Sequence, residues 1–135
     1  MLSLVLLAGC GTVKSPTEPP PAVGEGAAFT FSQIQREIFT PTCAKAGCHN
    51  AATAQQGLVL EAGRSYGLLV DHAATEQGNL NRVEPGNPER SYLILKLRGD
   101  PAISGQRMPQ DGPPYLTPDQ IAGIAGWIRA GAPNN

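Results

Sequence analysis

The chain of 135 residues has room for one domain and not for two, and its 16 Gly and 13 Pro give loops a large share of it. Apolar residues make up 41% and aromatic residues 5%, a thin core of the kind that small domains reinforce with a disulfide, a metal or a cofactor. Ten basic and eleven acidic residues, net charge −1 and no run of either sign exclude a nucleic-acid footprint and a surface held on membranes by charge.

From the N-terminus, Met1 to Leu7 is almost wholly apolar and runs into Leu7-Ala8-Gly9-Cys10. An apolar residue, two small residues and a cysteine look like the lipobox of bacterial lipoproteins. Small residues let the extended chain enter a peptidase cleft, and the cysteine then becomes a lipid-bearing N-terminus. Residues 1–9 are therefore expected to be a lipoprotein signal peptide. It lacks the usual opening Lys or Arg, so the natural start is expected further upstream. The apolar stretch is much too short to span a bilayer as a helix. Cys10 is expected to carry the lipid and to hold the rest of the chain outside the cytoplasm, facing the periplasm or the cell exterior. Residues 10–28, with Pro16, Pro19, Pro20 and Pro21, read as a tether with a reach of roughly 50 Å.

Residues 29–135 read as the folded domain. Ser32 is expected to cap a helix through Phe39, with Phe31, Ile34, Ile38 and Phe39 as its apolar side and Thr40-Pro41 as its stop. The cysteine loop, Cys43 to His49, follows. Gly57-Leu58-Val59-Leu60 reads as extended, and Tyr66 to Val70 as a helical turn. Asn87-Pro88 reads as the N-cap and first residue of a helix that runs through Tyr92, Leu93, Leu95 and Leu97 to Gly99. The last helix is capped by Thr117, with Pro118 first and Gln120 completing a capping box. Ile121, Ile124, Ala125 and Ile128 form its apolar stripe, and Gly131 closes it. Three or four short helices joined by long Gly- and Pro-rich loops make the expected fold all-α, with no convincing sheet.

Outside the cytoplasm thiols do not stay reduced by default, which narrows the meaning of Cys43 and Cys48. Covalent haem attachment needs two thiols to form thioethers with the two vinyl groups, and a His directly after the second as proximal ligand. Cys43-Ala44-Lys45-Ala46-Gly47-Cys48-His49 supplies these with C-x4-C-H spacing instead of C-x-x-C-H. The two additional residues are expected to bulge outward, with Gly47 easing the turn. A second axial ligand should come from far along the chain. Met108, the sole methionine after the first residue, sits beside Pro109 in the polar loop Gly105-Gln106-Arg107. Met/His ligation favours ferrous iron and raises the reduction potential.

In their order and spacing these landmarks, with Pro85-Gly86-Asn87-Pro88, Ser91-Tyr92-Leu93 and Trp127-Ile128, resemble small bacterial class I-type cytochrome c domains over residues 29 to 132. The resemblance implies one covalent haem c, Cys43 and Cys48 as its thioether residues, and His49 and Met108 as its axial ligands. It also implies a terminal helix packed near the first, with Trp127 in that contact near the haem. The function so implied is one-electron transfer between a redox protein donor and acceptor, without bond-making chemistry of its own.

Other readings stay open at this level. Cys43 and Cys48 could close a small disulfide in a haem-free lipoprotein module. Cys43, Cys48, His49 and Met108 could hold copper or zinc, although adjacent Cys48 and His49 chelate one ion awkwardly. A peroxidase would need a second haem or a distal acid-base group, and neither is visible. His72 reads as an exposed loop residue that could replace Met108 in a bis-His site. Tyr92 and Tyr115 read as packing residues, and Arg107 as either a haem propionate partner or a solvated side chain. Asp100, Asp111 and Asp119 have no spacing that suggests acid-base catalysis.

Overall fold

The computed structural model describes residues 27–135. The signal peptide at 1–9, the lipidated Cys10 and all but the last two residues of the tether lie outside the described residues. Among the described residues the fold is small and all-α, with four α-helices and no strand. Three isolated bridges (Val70 with Val83, Ala73 with Asn81, Asn81 with Ser91) are the only sheet-like pairings there. No helix among them is long and apolar enough to cross a membrane.

Helix α1 (Phe31–Ile34) starts two residues earlier than a cap at Ser32 predicts, because Thr30 is the cap. The Thr30 side chain accepts from the Gln33 N–H at 3.2 Å, and Gln33 Oε1 accepts from the Thr30 N–H at 2.9 Å. Thr40-Pro41 does not stop the helix. The chain continues as a π-helical segment, Gln35–Cys43, with Pro41 inside it. Proline has no N–H and its ring collides with the carbonyl four residues back in an α-helix; a wider turn relieves that collision. Phe31, Ile34, Ile38 and Phe39 are buried on one side, as the periodicity predicts.

Helix α2 (Ser65–Leu69) is joined to this first segment through Gln35, whose Nε2 donates to the Leu60 carbonyl at 2.9 Å and whose Oε1 accepts from the Ser65 hydroxyl. The long helix expected from Asn87 to Gly99 is broken. Asn87 caps a single 3-10 turn, Pro88–Arg90, and α3 (Tyr92–Arg98) begins after Ser91. The buried Ser91 hydroxyl accepts from the Glu84 N–H and donates to the Asn87 carbonyl, both at 2.9 Å, which fixes the break. Gly99 ends α3 with a left-handed φ of +71°.

Helix α4 (Pro118–Arg129) carries the expected Thr117/Gln120 capping box and buries Ile121, Ile124, Ala125 and Ile128. The segment just before the first helix crosses it: a Cβ at Gly123 would stand 2.5 Å from the Phe29 ring, so only glycine fits there. Phe31 and Trp127 pack with ring centroids 5.4 Å apart, joining the first helix to the last. The C-terminus closes the same junction, because the Phe31 and Ser32 N–H groups both donate to Asn135.

Candidate functional site

The π-helical segment delivers Cys43 to the edge of the core, and a tight loop follows it. The Ala44 N–H donates to the Phe39 carbonyl at 2.8 Å, and the His49 N–H to the Cys43 carbonyl at 3.1 Å. Gly47 takes a φ of +82° with no atom within 4 Å of a Cβ placed on it, so conformation and not space calls for glycine. Lys45, Ala46 and Gly47 are exposed on this loop. Lys45 pairs with Asp111 at 2.9 Å across its outer face.

The extended residues 58–60 pin His49 twice. Its carbonyl accepts from the Leu60 N–H at 2.7 Å, and its ring Nδ1 lies 3.2 Å from the Leu58 carbonyl oxygen. A carbonyl only accepts, so this bond places the proton on Nδ1 and leaves the Nε2 lone pair for a metal. Burial, with the nearby charges of Arg82 and Lys96, pushes the imidazole below its ordinary pKa against the opposing carbonyls of Leu58 and Gln55. The ring is half-buried, and its lowered pKa favours the neutral form, the form that ligates.

Met108 is positioned by the end of α3. The last carbonyls of a helix lack partners within it. Here the Lys96 carbonyl accepts from the Met108 N–H at 2.9 Å, and the Leu97 carbonyl accepts from Arg107 Nε at 2.8 Å.

Two adjoining cavities lie between these parts. The inner one, about 80 Å³, has apolar walls from Leu58, Leu60, Leu69, Leu93 and Leu97, with Cys43 and Met108 on its border. The outer one, about 400 Å³, is bordered by Cys43, Cys48, Gly47, Met108 and Pro109. They share Cys43, Gln56, Glu76, Lys96 and Met108, and so form one cleft. Of the four predicted cofactor residues, Cys43, Cys48 and Met108 therefore face common space. His49 stands beside it, lining neither cavity, yet near enough to feel the charges of Arg82 and Lys96.

The cleft also carries charges that the sequence did not advertise. Lys96 and Glu76 pair at 2.8 Å with little exposure, and the Tyr92 hydroxyl donates to Glu76 at 2.9 Å. Lys96 Nζ donates to the Ser104 carbonyl at 2.7 Å. Desolvation pushes the Glu76 carboxyl up, but Lys96 and Tyr92 outweigh it and hold the group below the usual carboxylate range. Burial, assisted by Glu76, pushes the Tyr92 hydroxyl up. Arg82 is buried on the inner cavity as well. The signals were faint: a lysine inside the apolar run Tyr92-Leu93-Ile94-Leu95-Lys96-Leu97, and an arginine between Asn81 and Val83.

The remaining candidates fall elsewhere. Comparison of the chain with family models, curated proteins and solved structures returns no match. Arg107 is committed to Leu97 and stacks over the Tyr115 ring at 4.1 Å, lining neither cavity. His72 is exposed, with Nδ1 3.2 Å from the carbonyl of Ala73. Trp127 is buried against Phe31 and donates to the Pro133 carbonyl, away from the cleft walls. Cys43 and Cys48 are half-buried and not bonded to each other. No three His, Cys, Asp or Glu side chains among the described residues gather as a metal-ion cluster.

An apolar inner cavity bordered by Cys43 and Met108, opening into an outer one bordered by Cys48, with His49 fixed beside them by its Nδ1, suits a flat, largely apolar macrocycle with a central iron. Cys43 and Cys48 could hold its vinyl edge, and His49 and Met108 its metal.

Proposed function

We propose that the chain is a mono-haem c-type cytochrome of class I type, a one-electron carrier tethered outside the cytoplasm by lipid on Cys10. The observation that carries this reading is that Met108, 59 residues beyond His49 in the chain, lines the same cleft as Cys43 and Cys48. Haem c, when bound, supplies a single electron site by cycling of its iron between ferric and ferrous states.

The chain's own residues do the rest. Cys43 and Cys48 anchor the cofactor covalently. The Leu58 carbonyl keeps the proton of His49 on Nδ1 and the ring in one orientation, which strengthens it as a ligand. The Lys96 carbonyl holds the Met108 backbone, so the thioether is presented by the end of a helix and not by an unanchored loop. The leucines of the inner cavity exclude water, and low polarity favours the less charged, reduced form. The apolar leader and the Pro-rich tether support confinement to a membrane surface with freedom to meet a donor and an acceptor.

The test is a pyridine haemochrome spectrum on protein matured in a host with cytochrome c assembly machinery, after acid-acetone extraction. A haem band that stays with the chain is expected. A colourless protein with Cys43 and Cys48 joined as a disulfide ends the carrier reading and leaves a lipoprotein binding module. Met108→Leu should keep the haem attached and lower the reduction potential, as read by redox titration, because the thioether that favours ferrous iron is gone. An unchanged potential would remove Met108 from the site.

A further inference from the structure

One residue, Lys96, holds the Met108 loop at both of its ends. Its backbone carbonyl accepts from the Met108 N–H at 2.9 Å, and its ammonium donates to the Ser104 carbonyl at 2.7 Å. Ser104 is gripped on its other side as well, where its N–H donates to the Tyr92 hydroxyl at 3.0 Å. Glu76 fixes both grips. Its carboxylate pairs with Lys96 at 2.8 Å and accepts from the Tyr92 hydroxyl at 2.9 Å. That hydroxyl thus gives its one proton to Glu76 and keeps its lone pairs for Ser104. Between the two ends, Gly105 lies over the ion pair: a Cβ there would stand 3.6 Å from Glu76 Oε1 and 3.8 Å from Lys96 Nζ.

The loop needs such support. Between Ser104 and Met108 the chain is Gly105-Gln106-Arg107, with no apolar side chain to bury, so polar contacts must offset the entropy of ordering it. Tyr92 and Lys96 are buried, and both border the apolar inner cavity with Glu76. An ion pair in such a wall adds little net stability compared with apolar residues of the same volume. What this one supplies is direction, because its donors and acceptors converge on the Ser104 backbone.

We propose that Glu76, Tyr92 and Lys96 form a clamp that keeps Met108 seated as axial ligand and so closes the iron to small molecules. The inference rests on the cytochrome reading and deepens it. A closed iron serves electron transfer alone, whereas an open one admits diatomic gases and peroxide. The three are positioning residues that act through the Ser104 backbone.

The experiment compares wild type, Tyr92→Phe and the double variant Glu76→Gln/Lys96→Met, each matured with haem. Tyr92→Phe changes no charge, and the double variant removes one charge of each sign, so the net charge of the cleft is the same in all three. The backbone bond from Met108 to the Lys96 carbonyl is also common to them. The readings at neutral pH are the methionine-to-iron charge-transfer band of the ferric protein, the midpoint potential, and the ferrous spectrum under carbon monoxide. Wild type should show the band and form no carbon monoxide complex. Both variants should lose much of the band, shift the potential downward and take up carbon monoxide, the double variant more than Tyr92→Phe. Haem retained in both variants, with band, potential and indifference to carbon monoxide as in wild type, would overturn the clamp while leaving the cytochrome intact. A wild type that takes up carbon monoxide as readily as the variants would overturn it too. A colourless wild type would sink the cytochrome reading itself, and this inference with it. Should the variants not accumulate, amide hydrogen exchange on matured wild type decides the matter. Ser104 and Met108 N–H groups that open together at one slow rate support the clamp; a Ser104 N–H that exchanges freely beside a protected Met108 overturns it.

Discussion

Cys43 shows how far residue chemistry depends on surroundings. Burial pushes its thiol up to about 12, against a lowering by Lys45, with Cys48 and Asp111 adding to the rise. The thiolate is the nucleophile, so in cofactor-free protein this thiol is quiet until the loop opens. Iodoacetamide at about pH 8 should label Cys43 slowly in the native protein and many-fold faster in urea, as read by peptide mass spectrometry. Equal rates in both conditions would contradict its burial. Cys43, Cys48, His49 and Met108 were legible in the sequence because their meaning lies in residue type, adjacency and scarcity. Arg82, Glu76 and Lys96 were not, because a charge acquires its role from the apolar walls around it.

At the level of elements, the last helix was read best. Thr117, Pro118 and Gln120 act locally, and the helix they predict is the helix found. Pro41 and Ser91 were misread because each has two local outcomes that packing decides between. Pro41 widened the first helix instead of ending it, and Ser91 turned its hydroxyl on the backbone and split one helix from the next. The end of α3 matters most to the site. Gly99 is left-handed at φ +71°, and a Cβ there would stand 2.9 Å from Arg107 Cδ. Gly99→Ala should cost about 1–2 kcal/mol in urea unfolding, since both the conformation and the contact resist a methyl group. The same change should loosen Arg107 and the Met108 that follows it; unaltered stability would show that the loop is not seated on the helix end.

Across the whole molecule, the Glu76 network ties together three separate parts of the chain. Tyr92 and Lys96 come from α3, Glu76 from the segment after α2, and Ser104 from the loop leading to Met108. The Glu76 carboxyl has a folded pKa below its ordinary 4.5, so it adds stability above that value and loses it as pH falls through the lower folded value. Glu76→Gln should destabilise by about 1–3 kcal/mol at neutral pH, with the difference closing below the ordinary carboxylate value. Denaturation curves at several pH values check this. A gap that persists in acid would mean that the carboxylate charge is not what Glu76 contributes.

The sequence alone determined what depends on neighbours in the chain: the capping box of the last helix, its apolar stripe, the buried face of the first helix and the all-α class. It also supplied the thiols, imidazole and thioether as a chemically coherent set, because adjacency and rarity are local properties. The tertiary structure alone decided that Cys43, Cys48 and Met108 face one cleft with His49 beside it, that Arg107 is spent on packing, and that Arg82, Glu76 and Lys96 share the cleft. Those outcomes depend on burial and on partners many residues away, and no local pattern encodes either.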